Sequence, residues 1–183
     1  MVFPDIVRSE NDLRQILTLQ QANLKQHLSP AVRDTQGFLT LQHTLPILQE
    51  MHLLAPSIVV RMEDEVVAYA LTETRECRFL MPDLEPMFAL LDTLSWKNKP
   101  INDYSFYTMG QICVGEKFRG QGVVEMLYQH HRNIYSSRFE LFITEISTSN
   151  IRSLRAHERI GFKHLLTHRD HLDEWSTVVW DWT

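Results

Sequence analysis

Cysteine is scarce. Cys77 and Cys113 are the two present in 183 residues, and their spacing suits neither a metal-ligand pair nor a disulfide framework, so a reducing cytoplasm is the expected compartment. An excess of positive charge is also missing. Lys and Arg total 18 against 23 Asp and Glu, giving a net charge of −5 and a pI near 6.0. That balance argues against broad nucleic-acid binding, which needs a basic face, and accommodates a cationic amine substrate. No apolar run approaches the roughly 20 residues of a membrane span. The opening Met1-Val2-Phe3-Pro4-Asp5 is neither a basic n-region nor a long apolar stretch, so neither a secretory signal nor a membrane partner is expected. Repeats, low-complexity tracts and long linkers are lacking too. With 44% apolar and 22% charged residues, the expectation is one domain over 1–183 with a substantial core.

Hydrophobic periodicity then organises the chain. Val2–Arg8 suits a first strand, and Ser9 an N-cap with Asp12 as an imperfect capping box. Leu13, Ile16, Leu17, Leu19 and Leu24 follow at roughly helical spacing. Ser29-Pro30 starts a second helix and His43–Leu54 a third; this opening, 1–56, is expected to wall an acceptor site. Ser57–Met62 and Val66–Thr74 form a hairpin around Glu63-Asp64-Glu65. Pro82–Pro86 interrupts, Met87–Leu94 is helical and Lys97–Asp103 is a polar turn, together an insert at 78–103. Tyr104–Val114 is a strand, and Gln121–Ser137 a helix with Val124, Leu127, His131, Ile134 and Tyr135 on its stripe. Leu141–Ser147 is a strand, Asn150–Ile160 a helix, and Phe162–His168 with Trp175–Trp182 an antiparallel pair. The order predicts an α/β sandwich on a mixed sheet.

Two stretches carry chemistry. Val114-Gly115-Glu116-Lys117-Phe118-Arg119-Gly120-Gln121-Gly122 joins a strand end to a helix start. Free backbone N–H groups and the helix dipole make an anion site there, and glycines let a phosphate reach the main chain without meeting a Cβ. The second stretch is Asn150–Phe162. Arg119-Gly120-Gln121-Gly122-Val123-Val124 resembles the Arg/Gln-x-x-Gly-x-Gly/Ala phosphate motif of the GNAT superfamily of acyl-CoA-dependent N-acetyltransferases, with Val124 where a small residue is usual. Asn150, Ser153, Gly161 and Phe162 fit the superfamily's second pattern, with His157 in the place of a tyrosine.

The resemblance implies a mixed, mostly antiparallel central sheet flanked by helices, with an acetyl-CoA-binding core over 107–162. It implies that amides of Arg119, Gly120, Gln121, Gly122, Val123 and Val124 hold the pyrophosphate. Ile112, Cys113 and Val114 would run beside the pantetheine, with the Ile112 N–H toward the thioester oxygen, and Asn150 and Ser153 would meet the pantetheine arm. Acetyl-CoA is the implied cosubstrate, without metal, and a primary amine the acceptor, attacking directly in a ternary complex.

A protonated amine must lose a proton before it attacks. Glu145, mid-strand beside Ile143 and Ser147 on one face, is the candidate base; a salt bridge to a nearby arginine, or a solvated strand end, is its ordinary alternative. Glu73, Glu76 and Glu85 are rivals. His157 is the candidate acid for the departing thiolate, or else a half-buried structural histidine. Asn150 doubles as an N-cap. Cys113 lies near the expected thioester without a Cys–His–acid spacing, so covalent catalysis is not expected. His164, His168 and His171 span a strand and a turn, and no metal is expected there. Trp175, Trp180 and Trp182 suit strand packing or a dimer contact, which leaves a homodimer open. The alternative to an enzyme is an acyl-CoA-binding regulatory module with little turnover.

Overall fold

The structure, a computed structural model, describes residues 1–183 apart from the side chain of Asp34. In chain order its elements are β1 (Val2–Ile6), α1 (Glu10–Asn23), α2 (Pro30–Gln36), α3 (Leu45–Leu54), β2 (Ile58–Met62), β3 (Glu65–Glu73), α4 (Glu85–Leu91), β4 (Ser95–Trp96), β5 (Lys99–Pro100), β6 (Phe106–Val114), α5 (Val123–Tyr135), β7 (Leu141–Ser147), α6 (Ile151–Ile160), β8 (Lys163–Arg169) and β9 (Glu174–Asp181). Seven strands form one sheet in the order β1-β2-β3-β6-β7-β9-β8. Every pairing in it is antiparallel except β6 with β7.

Alternation along the strands separates two cores. One face packs Tyr69, Leu71, Leu141, Ile143 and Val179 against α1, α3 and α4, through residues such as Leu13, Ile16, Leu48, Phe88 and Leu91. The other packs Ala68, Ala70, Phe142 and Val178 against α5 and α6. On that second side Tyr107, Tyr128, Phe142, Phe162, Trp180 and Trp182 stack edge to face or offset, geometries that suit the ring quadrupoles.

The predicted elements occur, with adjusted edges. Ser9 and Asp12 make a full capping box, and Asp12 also takes two bonds from the buried Arg61 guanidinium (2.8 and 2.7 Å), tying α1 to β2. Helix α5 starts at Val123, not Gln121, because Gly122 sits at φ 76° in the left-handed region. Its buried stripe is Val123, Leu127, Tyr128, His131 and Tyr135; Val124 is half-buried and Ile134 exposed. Helix α4 spans Glu85–Leu91, earlier than Met87–Leu94. The polar turn after it is a tight hairpin, β4 with β5, whose corner residues Lys97 and Asn98 both have positive φ, as a type I′ turn demands.

The feature that positions the site is the β6–β7 pair. It holds register for Phe106, Tyr107 and Thr108 against Leu141, Phe142 and Ile143, and pairs no further. On the other edge of β6, Met109 faces Thr72 and Ile112 faces Ala70, so Gly110 and Gln111 share the place opposite Leu71. This bulge bends the strand and carries β6 away from β7.

Candidate active site

A cavity of about 390 Å³ occupies the gap between the diverging strands. It is walled by β6 and β7, by the starts of α5 and α6, by segment 36–41, and by residues of the 83–87 and 170–175 regions. Because it passes through the sheet, it draws residues from both faces. Glu145 comes from the α1 side, following Leu141 and Ile143 in alternation, and His157 from the aromatic cluster on the α5–α6 side.

At one end lies the Arg119–Val124 segment. Gly120 and Gly122 have φ of 73° and 76°, and a Cβ on either would meet nothing within 4 Å. Backbone shape, not crowding, therefore calls for glycine, and the main chain is left bare to the cavity. The first N–H groups of α5 have no intrahelical acceptor and carry the positive end of the helix dipole. The Arg119 side chain is engaged elsewhere. Its Nε donates to Val114 O (3.1 Å), and its guanidinium reaches Asn23 (2.5 Å) and Gln36 (3.2 Å). It thereby fixes the loop to the ends of α1 and α2. Arg152 donates to the same Gln36 oxygen (3.2 Å).

Along β6, Gly115 N–H bonds Val67 O on β3 (2.9 Å), whereas Val114 O faces Arg119 on the opposite edge. Alternation turns the N–H of Ile112 to that same edge, toward the gap. Cys113 points instead into the α1 side core, and burial pushes its thiol up to about 12. It stays a thiol at neutral pH and is no nucleophile. Asn150 caps α6 by accepting from Ser153 N–H (3.2 Å), while its amide donates to Phe38 O (3.2 Å). That pair of bonds fastens segment 36–41 across the cavity wall.

Glu145 accepts from His168 Nε2 (2.7 Å) and Thr177 Oγ1 (3.0 Å), both on Oε1. Oε2 has no bond among the described residues, and Glu145 is part of the cavity lining. Burial raises the Glu145 carboxyl above its ordinary value, partly offset by His168 and Thr177. The partner is a histidine, not one of the arginines that the sequence offered. His157 is buried and held at both nitrogens: Nδ1 lies 2.8 Å from Ser153 O, and Nε2 meets the Tyr128 hydroxyl. Since a carbonyl only accepts, Nδ1 carries the proton and Nε2 accepts from Tyr128. Burial pushes its pKa down to about 4, so the ring is neutral at pH 7.

Several lining residues escaped the sequence reading. Glu73 was a rival base; its surroundings were invisible. Its side chain is fully buried and lies across Gly110, where a Cβ would stand 1.8 Å from Oε1. Thr108 Oγ1 donates to Oε2 (3.2 Å), and His43 Nε2 lies 3.6 Å from Oε1. His43 precedes α3 and is not part of it. An isolated glycine within a strand signals a bulge or a close approach, and Gly110 was such a signal. Thr144, whose hydroxyl donates to Met109 O (2.8 Å) just where the strands part, had none. Glu76 and Glu85 do not line the cavity; Glu85 pairs with Arg78 (2.6 Å). The three histidines considered for metal go separate ways: His164 to Thr167, His168 to Glu145, His171 to Asp83. Trp180 and Trp182 pack in the aromatic cluster, while Trp175 lines the cavity.

Comparison with known proteins agrees with this geometry. Over 98% or more of the chain, it superposes on solved structures at low identity. The ribosomal-protein-S18-alanine N-acetyltransferase of Escherichia coli gives a TM-score of 0.66 at 12% identity, covering 99% of this chain and 94% of that one. An N-acetyltransferase from Staphylococcus aureus gives 0.63 at 16%, covering 100% and 99%. A proposed acetyltransferase from Salmonella typhimurium, solved with its cofactor acetyl-CoA, gives 0.63 at 13%, covering 100% and 94%. No curated protein matches the chain in sequence. The sequence model of the acetyltransferase (GNAT) family matches residues 22–162, and the chain belongs to that family: it is an acyltransferase of the GNAT fold.

Proposed function

We propose that the protein moves an acetyl group from acetyl-CoA to a primary amine by direct attack within a ternary complex. The observation that carries this reading is the continuity of the cavity. It runs from the bare glycine backbone at the start of α5, through the gap between β6 and β7, to the uncommitted oxygen of Glu145. The N–H groups of 119–124 hold the pyrophosphate, and Ile112–Val114 lies along the pantetheine with the Ile112 N–H toward the thioester oxygen. Asn150 and Ser153 hold the wall beside the arm.

The acceptor arrives as an ammonium, with a pKa of about 10, and Glu145 takes its proton on Oε2. The freed nitrogen attacks the thioester carbon, and the charge gathering on oxygen is met by the Ile112 N–H. The C–S bond breaks, the thiolate leaves with the electron pair, and a proton returns to it to give CoA. A thiol of pKa ~8.5 leaves readily, so this proton matters less than the first. That proton is the one the nitrogen sheds as it becomes an amide; His157, neutral and already donating Nδ1–H to Ser153 O, has none to give as an acid and instead holds the Ser153 region in place. A reducing cytoplasm, where two buried unpaired thiols persist, is the compartment we propose.

The test is amine-dependent release of CoA thiol by the native protein and by Glu145→Gln. Release by the native protein that the variant nearly abolishes supports the reading. Equal release by both removes Glu145 from the base role. Acetyl-CoA binding without amine-dependent release would leave the acyl-CoA-binding regulatory module as the better account.

A further inference from the structure

The two ends of the cavity carry opposite charge. Its lining arginines, Arg119, Arg152 and Arg159, belong to the loop before α5 or to α6 and outnumber the one carboxylate on that side, Glu125 in the first turn of α5. On the other side it is lined by Glu73, Asp83, Glu145 and Asp170, with no Lys or Arg among the described lining residues there. Three of these carboxylates are each backed by a histidine: Glu73 by His43 at 3.6 Å, Glu145 by His168 at 2.7 Å and Asp83 by His171 at 3.2 Å. Asp170 is occupied by the N–H groups of Leu172 and Asp173 and by the Trp175 indole.

Glu73 differs from the rest. It is fully buried, yet Oε1 has no hydrogen-bond partner among the described residues, and neither ring nitrogen of His43 has one. A buried carboxylate oxygen without a donor is costly. Gly110 is what lets it lie there, against the cavity. Leu84, Met87 and Leu172 give the same region apolar surface.

We infer that the acceptor is a small amine with two cationic groups joined by an apolar segment, its reacting nitrogen at Glu145 and its second ammonium at Glu73. The inference rests on the acetyltransferase reading and narrows its acceptor. An ammonium supplies the donors that Glu73 Oε1 lacks, and its charge is matched in a water-poor site, where a charge-assisted bond is about twice as strong as a neutral one. A peptide N-terminus offers one ammonium followed by a carbonyl, which leaves Glu73 unsatisfied.

The experiment measures CoA release from acetyl-CoA by the native protein with propane-, butane- and hexanediamine, with butylamine and hexylamine, and with a short neutral peptide bearing a free N-terminus. The expected result is a kcat/KM for the best diamine at least about tenfold above the monoamine of equal length, one decade corresponding to about 1.4 kcal/mol. In Glu73→Gln that ratio falls toward one. Equal values for diamines and monoamines, or the highest value for the peptide, would overturn the inference and leave the acetyltransferase reading in place. Release with none of the amines, with acetyl-CoA binding intact, would overturn that reading and the inference with it. The native series decides the question even if Glu73→Gln is unstable.

Discussion

The two ends of the cavity are built in opposite ways. At the start of α5 the protein presents bare backbone: Gly120 and Gly122 have room around them, and their constraint is a positive φ. At the far end it presents packed side chains: Gly110 has no room, because the Glu73 carboxylate already fills the place of its Cβ. A backbone site is local in sequence and depends on main-chain shape more than on the side chains nearby. A side-chain site is assembled from distant segments and depends on each of them. The first suits a ligand part that is the same for every acetyl-CoA enzyme, and the second a part that distinguishes one acceptor from another.

If the ends are separate, a change at one leaves the other's ligand untouched. Glu145→Gln is expected to lower kcat/KM by ~10²–10⁴, the usual worth of a general base, with the Kd for acetyl-CoA held within about twofold by calorimetry. In the native protein the acid limb of the kcat/KM profile should lie above the ordinary carboxylate range, since burial raises the Glu145 carboxyl, and that limb should be missing in the variant.

Gly110→Ala comes next. Its Cβ collides with Glu73, so the carboxylate must move, at a stability cost of about 1–3 kcal/mol. Thermal unfolding should show the lower Tm, amine turnover should fall, and acetyl-CoA affinity should hold. An equal loss of both affinities would break the comparison.

The wall between the ends gives a third test. His157 binds protons near pH 4 when folded, against 6.5 when unfolded. Below about pH 6.5 the unfolded chain therefore takes up more protons, and stability falls as the pH drops toward 4, by on the order of 3 kcal/mol at the limit. His131, pushed down to about 3, adds to the same trend. His157→Phe should flatten the decline measured by denaturant unfolding at pH 4–7. It also leaves the Tyr128 hydroxyl without its acceptor, at a cost of about 1–3 kcal/mol. Its kcat should fall less than that of Glu145→Gln; a larger fall would return His157 to the acid step.

The same contrast explains what the sequence could convey. Arg119–Val124 and Asn150–Phe162 are contiguous, and their chemistry lies in backbone conformation, which glycine and N-cap residues advertise locally. The strands and helices followed from periods of 2 and 3.6, and with them the face of Glu145. The surroundings of Glu73 were not legible, because His43, Thr108 and Gly110 meet it through the register of β3 with β6 and the packing of the segment before α3. The partner of Glu145 escaped for the same reason: His168 reaches it across β9, from β8 at the sheet edge. The start of α5 was misplaced because Gln121 has helical propensity, while the left-handed Gly122 sets the boundary.

The central claim is that backbone N–H groups at the start of α5 anchor acetyl-CoA. Calorimetric titration of acetyl-CoA into the native protein and into Gly122→Val tests it most directly. A β-branched residue is disfavoured at that φ by roughly 1–2 kcal/mol and shields the amides from a phosphate. The account predicts micromolar binding to the native protein, weakened about tenfold or more in the variant, one decade being about 1.4 kcal/mol. No binding to the native protein at millimolar acetyl-CoA, or equal binding to both, would contradict it.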